Sequence, residues 1–189
     1  MIKGTRVQLR PVCDEDWAVI EKWGRNREAL WGPFQRFQID HLPLLRQAYD
    51  RTKLLSRESG FLLIETAADR RVVGFVRYTL IKFPDADFPH PEIGFGITDL
   101  QMRKKGLARE AVGLLVEYLF SGYAVERVSA LSETENIPAQ RLLEALGFRR
   151  EGVLRRASFR DGRWRDMAVY GLLRDEWKKR PAGGTEAAG

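Results

Sequence analysis

Apolar positions along the chain recur with two periods, every second residue in some stretches and every third or fourth in others, which predicts strands and helices mixed in one fold. Val7-Gln8-Leu9-Arg10 alternates and reads as a first strand stopped at Pro11. Asp14 then offers an N-cap to a helix with Trp17, Ile20 and Trp23 or Gly24 on one face and Glu15 and Asp16 in its first turn. Trp31-Gly32-Pro33-Phe34 breaks that pattern. The spacing of Leu45, Ala48, Tyr49 and Leu54-Leu55 predicts a second helix over about 43–57. Two strands are expected at 61–65 and 72–78, and the three prolines within 82–91 make that segment a loop.

The next stretch is less ordinary. Glu92-Ile93-Gly94-Phe95-Gly96-Ile97 alternates strictly, with Ile93, Phe95 and Ile97 on one face and Glu92, Gly94 and Gly96 on the other. A strand with so bare a second face is weakened, and it is tolerated where the strand bulges or where another group approaches its backbone closely. Leu107, Ala111, Leu114, Leu115, Tyr118 and Leu119 then mark a helix over 107–120 that stops at Gly122. A strand at 127–132 follows. A helix at 137–146 has Asn136 at its cap, Pro138 in its first turn and Gly147 past its end. The chain closes with a hairpin, 153–160 and 164–173, turned at Asp161-Gly162. No internal repeat is evident, and the Gly/Ala-rich residues 180–189 read as a frayed tail.

Composition narrows the class. With 189 residues, 44% hydrophobic and 31% charged, the chain suits one globular domain over 1–178 followed by a flexible tail at 179–189. The single cysteine, Cys13, cannot form an internal disulfide, and with two histidines it cannot build a Cys-rich zinc site. No metal is expected, a reducing cytosol is, and Cys13 reads as a small thiol with no neighbouring sequence to make it a nucleophile. No apolar run approaches the ~18 residues of a membrane span, and the charged amino terminus does not resemble a signal peptide. The net charge is +6, and it is uneven: residues 1–100 carry 15 basic and 14 acidic side chains, residues 101–189 carry 17 and 12. A polyanionic partner is implied, whether nucleic acid, a membrane surface or a phosphorylated cofactor.

The basic segment Gln101-Met102-Arg103-Lys104-Lys105-Gly106-Leu107-Ala108-Arg109 lies between the glycine-bearing strand and an amphipathic helix. A helix amino terminus presents unpaired N–H groups and partial positive charge, so a glycine-containing loop there can wrap a phosphate; a solvated basic turn is the plainer alternative. Other phosphate signatures fail. There is no G-x-x-x-x-G-K-[ST], and a G-x-G-x-x-G begun at Gly94 meets Asp99 at its last position.

At this loop the sequence resembles the GNAT acyl-CoA N-acyltransferases. Arg103-Lys104-Lys105-Gly106-Leu107-Ala108 fits their pattern Q/R-x-x-G-x-G/A, and Glu92-Ile93-Gly94-Phe95 is similar to the start of their fourth strand. Asn136-Ile137-Pro138-Ala139-Gln140-Arg141-Leu142, followed by Leu146-Gly147-Phe148, resembles their N-x-x-A/S-x-x-L…G-F element. Asp161-Gly162, Tyr170-Gly171-Leu172-Leu173 and Trp177 resemble the closing hairpin of the RimJ/RimL branch of ribosomal-protein N-terminal acetyltransferases. The resemblance covers residues 3 to about 178, with all elements in the family's order. It implies an α/β (α+β) fold: a mixed, mostly antiparallel sheet of about seven strands, splayed between its fourth and fifth, flanked by about four helices. It also implies that acetyl-CoA is the acyl donor. Backbone groups of Ile97, Thr98 and Asp99 would pair with its pantetheine arm. The loop of Arg103, Lys104, Lys105, Gly106, Leu107, Ala108 and Arg109 would hold its pyrophosphate, and Asn136 would bond the arm while also capping its helix.

Acyl transfer to an amine needs a proton acceptor, because an amine of pKa near 10 is mostly protonated at neutral pH. Many members of the family carry a Tyr seven residues after the Asn as a general acid; here that position is Leu143, and Arg109 replaces a frequent Ser or Thr. Glu92 and Glu133 are the catalytic candidates, with His90 a weaker one that reads as solvated between Pro89 and Pro91. The resemblance places the acceptor against residues 31–37 and 82–91, where Asp85, Asp87 and Glu92 suit a cationic amine. A protein N-terminus (a ribosomal protein among them), an amino sugar, a polyamine and an aminoglycoside all remain open. Two rival readings stand beside this one. The first is a non-catalytic acyl-CoA sensor. The second is a ribosome- or nucleic-acid-associated protein using Arg149, Arg150, Arg155, Arg156, Arg160, Arg163 and Arg165, although strand alternation sends these to opposite faces. Neither a membrane nor a nucleic-acid partner is expected, and both a monomer and a homodimer fit.

Overall fold

Alternation on the strands gives the sheet two apolar faces, and each needs a cover. In the computed structural model, which describes residues 1–26, 28–29, 34, 38 and 41–178, helices supply both covers. The strands are β1 (Ile2–Lys3), β2 (Val7–Pro11), β3 (Ser59–Thr66), β4 (Val72–Ile81), β5 (His90–Ile97), β6 (Arg127–Glu133), β7 (Arg149–Arg160) and β8 (Arg163–Leu173). They form one sheet in the order β1-β2-β3-β4-β5-β6-β8-β7. All neighbours are antiparallel except β5 and β6, which are parallel and register only at Glu92 with Ser129 and Ile93 with Ala130. Beyond Ile93 the two strands part. The expected splay is therefore present, in a sheet with one strand more than expected because the short β1 carries too little pattern to be read from sequence.

The helices are α1 (Trp17–Arg25), α2 (His41–Thr52), α3 (Leu107–Gly122), α4 (Ile137–Ala145) and α5 (Arg174–Lys178). On one face of the sheet, Val112, Leu115 and Leu119 of α3 pack in a single core with Leu9, Ile64, Val76, Ile93 and Val128. On the other, Trp17, Ile20 and Trp23 of α1 and Tyr49 of α2 enclose Leu63, which alternation on β3 turns away from its neighbours Leu62 and Ile64. Fully burying side chains of this size is worth about 1.5–3 kcal/mol each before entropy is subtracted.

Several sequence expectations need correction. Asp14 does not cap α1: a short 3-10 turn, Asp14–Asp16, precedes the helix, and the Asp16 carboxylate accepts from the Cys13 N–H at 2.8 Å while Arg10 grips it at 2.7 and 2.8 Å. The second helix stops at Thr52, short of 57, because Lys53 and Leu54 turn left-handed (φ 54° and 58°) and bring Leu54 back into the core with Tyr49. His90 is not solvated in a loop. It begins β5 opposite Ile81 and is only 8% exposed. The closing hairpin starts at Arg149, not 153, and α5 behind it was not anticipated; there the Trp177 indole donates to Glu117 at 2.6 Å. Of the breaking segment 31–34, residues 31–33 lie outside the described residues, as does the tail 179–189.

Candidate active site

The loop before α3 is shaped by its backbone and held from beneath. Lys104 and Gly106 adopt left-handed φ values of 61° and 74°, and Gly106 is the N-cap of α3. The Arg6 guanidinium donates to the carbonyls of Lys105 (3.1 Å) and Gly106 (3.3 Å), and Glu110 receives Arg6 in turn at 2.9 Å. Because those carbonyls turn toward Arg6, the amides at the head of α3 face the other way. Glu110 N–H is the first to find an acceptor inside the helix, on Gly106. An anion meets N–H groups and the positive end of a helix there, with no carbonyl to repel it. Glu110 and Arg6 were missed in the sequence, since nothing local pairs residues so far apart. The Arg103 side chain is also structural: Nε donates to Ile97 O at 2.9 Å, and Nη2 to the carbonyls of Glu28 and Ala29 at 2.8 and 3.0 Å. Lys105 Nζ lies 3.7 Å from Met102 Sδ, and Arg109 Nη2 donates to Ala145 O at 3.2 Å. The loop's side chains thus brace it and its amides do the presenting.

From this loop a cavity of about 550 Å³ runs along the parted strand, walled by Phe95, Gly96, Ile97, Gly106, Ala108 and Asn136 among others. The register of β4 with β5 decides which backbone groups reach it. Thr98 N–H donates to Val73 O, so every second residue back along β5 bonds β4, and Phe95 and Ile97 turn their backbone groups toward the gap. Ile97 and Thr98 both line it and Asp99 does not; the amides of Thr98 and Asp99 donate to Val73 O, at 2.9 and 3.1 Å, and the Asp99 carboxylate pairs with Arg71. Asn136 caps α4 through Oδ1 to the Ala139 N–H at 3.4 Å and still borders the cavity. An extended arm ending in phosphates fits these parts: a strand edge without a partner, then a nest of amides.

The glycine face of β5 is approached closely, one of the two uses expected of it, and the approaching groups are side chains of β4. A Cβ on Gly96 would lie 3.2 Å from the Phe75 ring and one on Gly94 2.8 Å from Arg77 Nε, so side chains of β4 lie over both glycines. A second cavity, about 610 Å³, opens on this face past the shared walls Phe75, Phe95 and Asn136, bounded by Trp23, Phe61, Arg77, Glu92, Leu131 and Glu133. It contains both candidate carboxylates, and they are not equivalent. Glu133 is locked: Arg160 Nε and Nη2 each donate at 2.8 Å to one of its oxygens, with both side chains buried. Glu92 is half-buried, accepts no hydrogen bond from any described residue, and is pushed above the usual carboxylate range by burial, with Arg77 opposing.

Other candidates separate in the same way. His90 lines neither cavity, and burial, helped by Arg127, lowers its pKa and keeps it neutral at pH 7. Asp85 and Asp87 lie in an exposed loop outside the cavity walls. Leu143 is buried against the second cavity and in the core, offering no proton. Cys13 is exposed, but hydrogen bonds to Asp16 and Glu15 raise its thiol to about 11, which makes it a poor nucleophile. Of the expected acceptor segment 31–37, only Phe34 is described, and it borders both cavities. Among the hairpin arginines, Arg149, Arg160 and Arg165 are paired with Glu176, Glu133 and Glu135, which reduces the free basic surface a nucleic acid would need. Among the described residues, no cluster of potential metal ligands occurs and no helix is long and apolar enough to cross a membrane.

Comparison with known proteins agrees with this construction. Residues 6–149 match the family model of the acetyltransferase (GNAT) domain. The chain is 36% identical over 179 residues to the uncharacterized N-acetyltransferase YoaA of Bacillus subtilis (strain 168), covering 92% of this chain and 97% of that one. It is 29% identical over 180 residues to the SPbeta prophage-derived uncharacterized N-acetyltransferase YokL of the same organism, covering 93% and 94%. Among solved structures, the fold is shared with spermidine N-acetyltransferase from Vibrio cholerae in complex with CoA and spermine, at a TM-score of 0.78, 20% identity, and coverage of 93% and 99%. It is shared also with the ribosomal-protein-S5-alanine acetyltransferase from Vibrio fischeri, at 0.72, 20%, and coverage of 93% and 97%. A parted strand beside an amide-lined helix head, with this match across most of the chain, makes the protein a member of the GNAT acetyltransferases, enzymes that use acetyl-CoA.

Proposed function

We propose that the protein transfers an acetyl group from acetyl-CoA to a primary amine by direct attack with both molecules bound, and that Glu92 is the general base. The observation carrying this is the contrast within the second cavity: one carboxylate bound on both oxygens, the other half-buried and without a hydrogen bond, beside the gap in the sheet. Acetyl-CoA would supply an activated thioester carbonyl. The amides of Gly106, Leu107, Ala108 and Arg109 hold its phosphates, and the Phe95 backbone groups and the Ile97 N–H hold its arm, the Ile97 carbonyl being occupied by Arg103. The N–H groups on that strand edge also suit an oxygen that gains negative charge during attack. Glu92 accepts one proton of the incoming ammonium, and its raised pKa brings it nearer the working pH, where a base is most effective. Nitrogen then bonds the carbonyl carbon as the C–S bond breaks, and the departing CoA thiolate takes the second proton that nitrogen loses. Glu133 has no free oxygen for that task; its part is to fix Arg160 beneath the cavity wall.

The test has two stages. Acetyl-CoA at saturation should raise the melting temperature, and no shift would sink the cofactor assignment. Release of free CoA should then depend on an added amine and fall steeply in Glu92→Gln; amine-independent binding alone would leave a sensor as the better description.

A further inference from the structure

The charges facing the second cavity limit what can enter it. Glu133 is neutralised by Arg160, leaving Glu92 and Arg77 as the charged groups of the described lining without a hydrogen-bonded partner. They lie on adjacent strands and on one face: Arg77 is opposite Gly94, and Glu92 is two residues along β5, a diagonal of about 7 Å between backbones. The two feel each other electrostatically without bonding, and the Arg77 guanidinium lies across Gly94, where a Cβ would meet Nε at 2.8 Å and force that side chain to shift. The remaining lining is mixed, apolar and aromatic at Trp23, Phe61 and Phe75 and polar at His41, Ser132 and Asn136.

We propose that the acceptor is a free α-amino acid with an apolar side chain: its amine directed to Glu92, its carboxylate to Arg77, its side chain among the aromatic walls. This rests on the acetyl-transfer reading above and deepens it. An α-amino acid carries opposite charges one carbon apart, which matches two side chains reaching inward from a diagonal pair. A polyamine or aminoglycoside brings several cations to a site whose described lining holds one uncompensated carboxylate and an arginine, so burying it there leaves charges unpaired. A peptide N-terminus has the amine and lacks the adjacent carboxylate, so the exposed Arg77 guanidinium gains no partner from it.

The experiment compares L-phenylalanine, L-phenylalaninamide, spermidine and a short peptide with a free N-terminus, each with acetyl-CoA, by CoA release and mass of product. L-phenylalanine should exceed its amide in kcat/KM by about tenfold or more, the worth of one charge-assisted pair. In Arg77→Ala that ratio should collapse toward one through KM, with Arg77→Lys retaining part of it and melting temperatures confirming that both variants fold. Equal use of acid and amide by the parent enzyme, or a ratio unmoved in Arg77→Ala, overturns the assignment. Acetylation of spermidine or the peptide without L-phenylalanine overturns this inference and keeps the acetyl-transfer reading; acetylation of none of the four counts against both.

Discussion

The two cavities meet at Phe75, Phe95 and Asn136 and are built from different materials. The one along the parted strand is made of backbone: amides at the head of α3, the edge of β5, a left-handed glycine. Arg6, Arg103 and Glu110 hold the loop's shape, while Lys104, Arg109 and Arg141 add positive charge to the cavity lining. The other is made of side chains drawn from α1, β3, β4, β5 and β6, and its chemistry depends on which carboxylate is paired. A site made of backbone accepts one ligand class and tolerates side-chain change; one made of side chains can be retuned by single substitutions. That difference fits the range of proteins sharing this fold, a spermidine N-acetyltransferase in one case and a ribosomal-protein-S5-alanine acetyltransferase in another.

If the contrast holds, substitutions should sort by cavity. Glu92→Gln should have the largest effect, lowering kcat by about 10²–10⁴-fold while the melting-temperature shift with acetyl-CoA persists; loss of both would mean the cavities are not separable. Arg160→Ala should come next. It strands Glu133 as a buried carboxylate without its partner, and chemical denaturation should show a loss of about 3 kcal/mol. On the backbone side, Gly106→Glu puts a Cβ at φ 74° and a negative charge at the phosphate nest, so calorimetry should show acetyl-CoA affinity falling by about tenfold or more. Smaller still, the kcat/KM profile should rise with pH through an apparent pKa above the ordinary carboxylate range. Since burial raises Glu92, its ionisation opposes folding, so Glu92→Gln should melt slightly higher than the parent at neutral pH and lose that advantage below the carboxylate's unfolded pKa. Asn136→Ala, which removes a cap, should cost about 1 kcal/mol and weaken acetyl-CoA binding modestly.

Much of the backbone cavity was legible in the sequence because its parts are contiguous. The glycine-bearing strand, the loop at Arg103 to Arg109 and the Asn136 cap each announce themselves within a few residues, and all of them border that cavity except Lys105. Reading it finer failed at register. The amides of Thr98 and Asp99 were expected to pair with the cofactor, and only the register shows that both are taken by Val73 O, although Thr98 still lines the cavity. The acceptor side was less readable. Glu92 and Glu133 have equal standing as residues in a string, and their separation comes from Arg160, which the hairpin delivers from 27 positions away.

The chain's own order of residues determined the alternation that makes the sheet, the periodicity that makes α3 and α4, and the small residues where an anion can approach backbone; these depend on neighbours in sequence and on local sterics. Tertiary structure decided which carboxylate is spent on an arginine, that His90 is buried and that Arg77 crosses Gly94 toward Glu92. Those outcomes depend on strand register and on desolvation, and both exist only once distant segments are packed against one another.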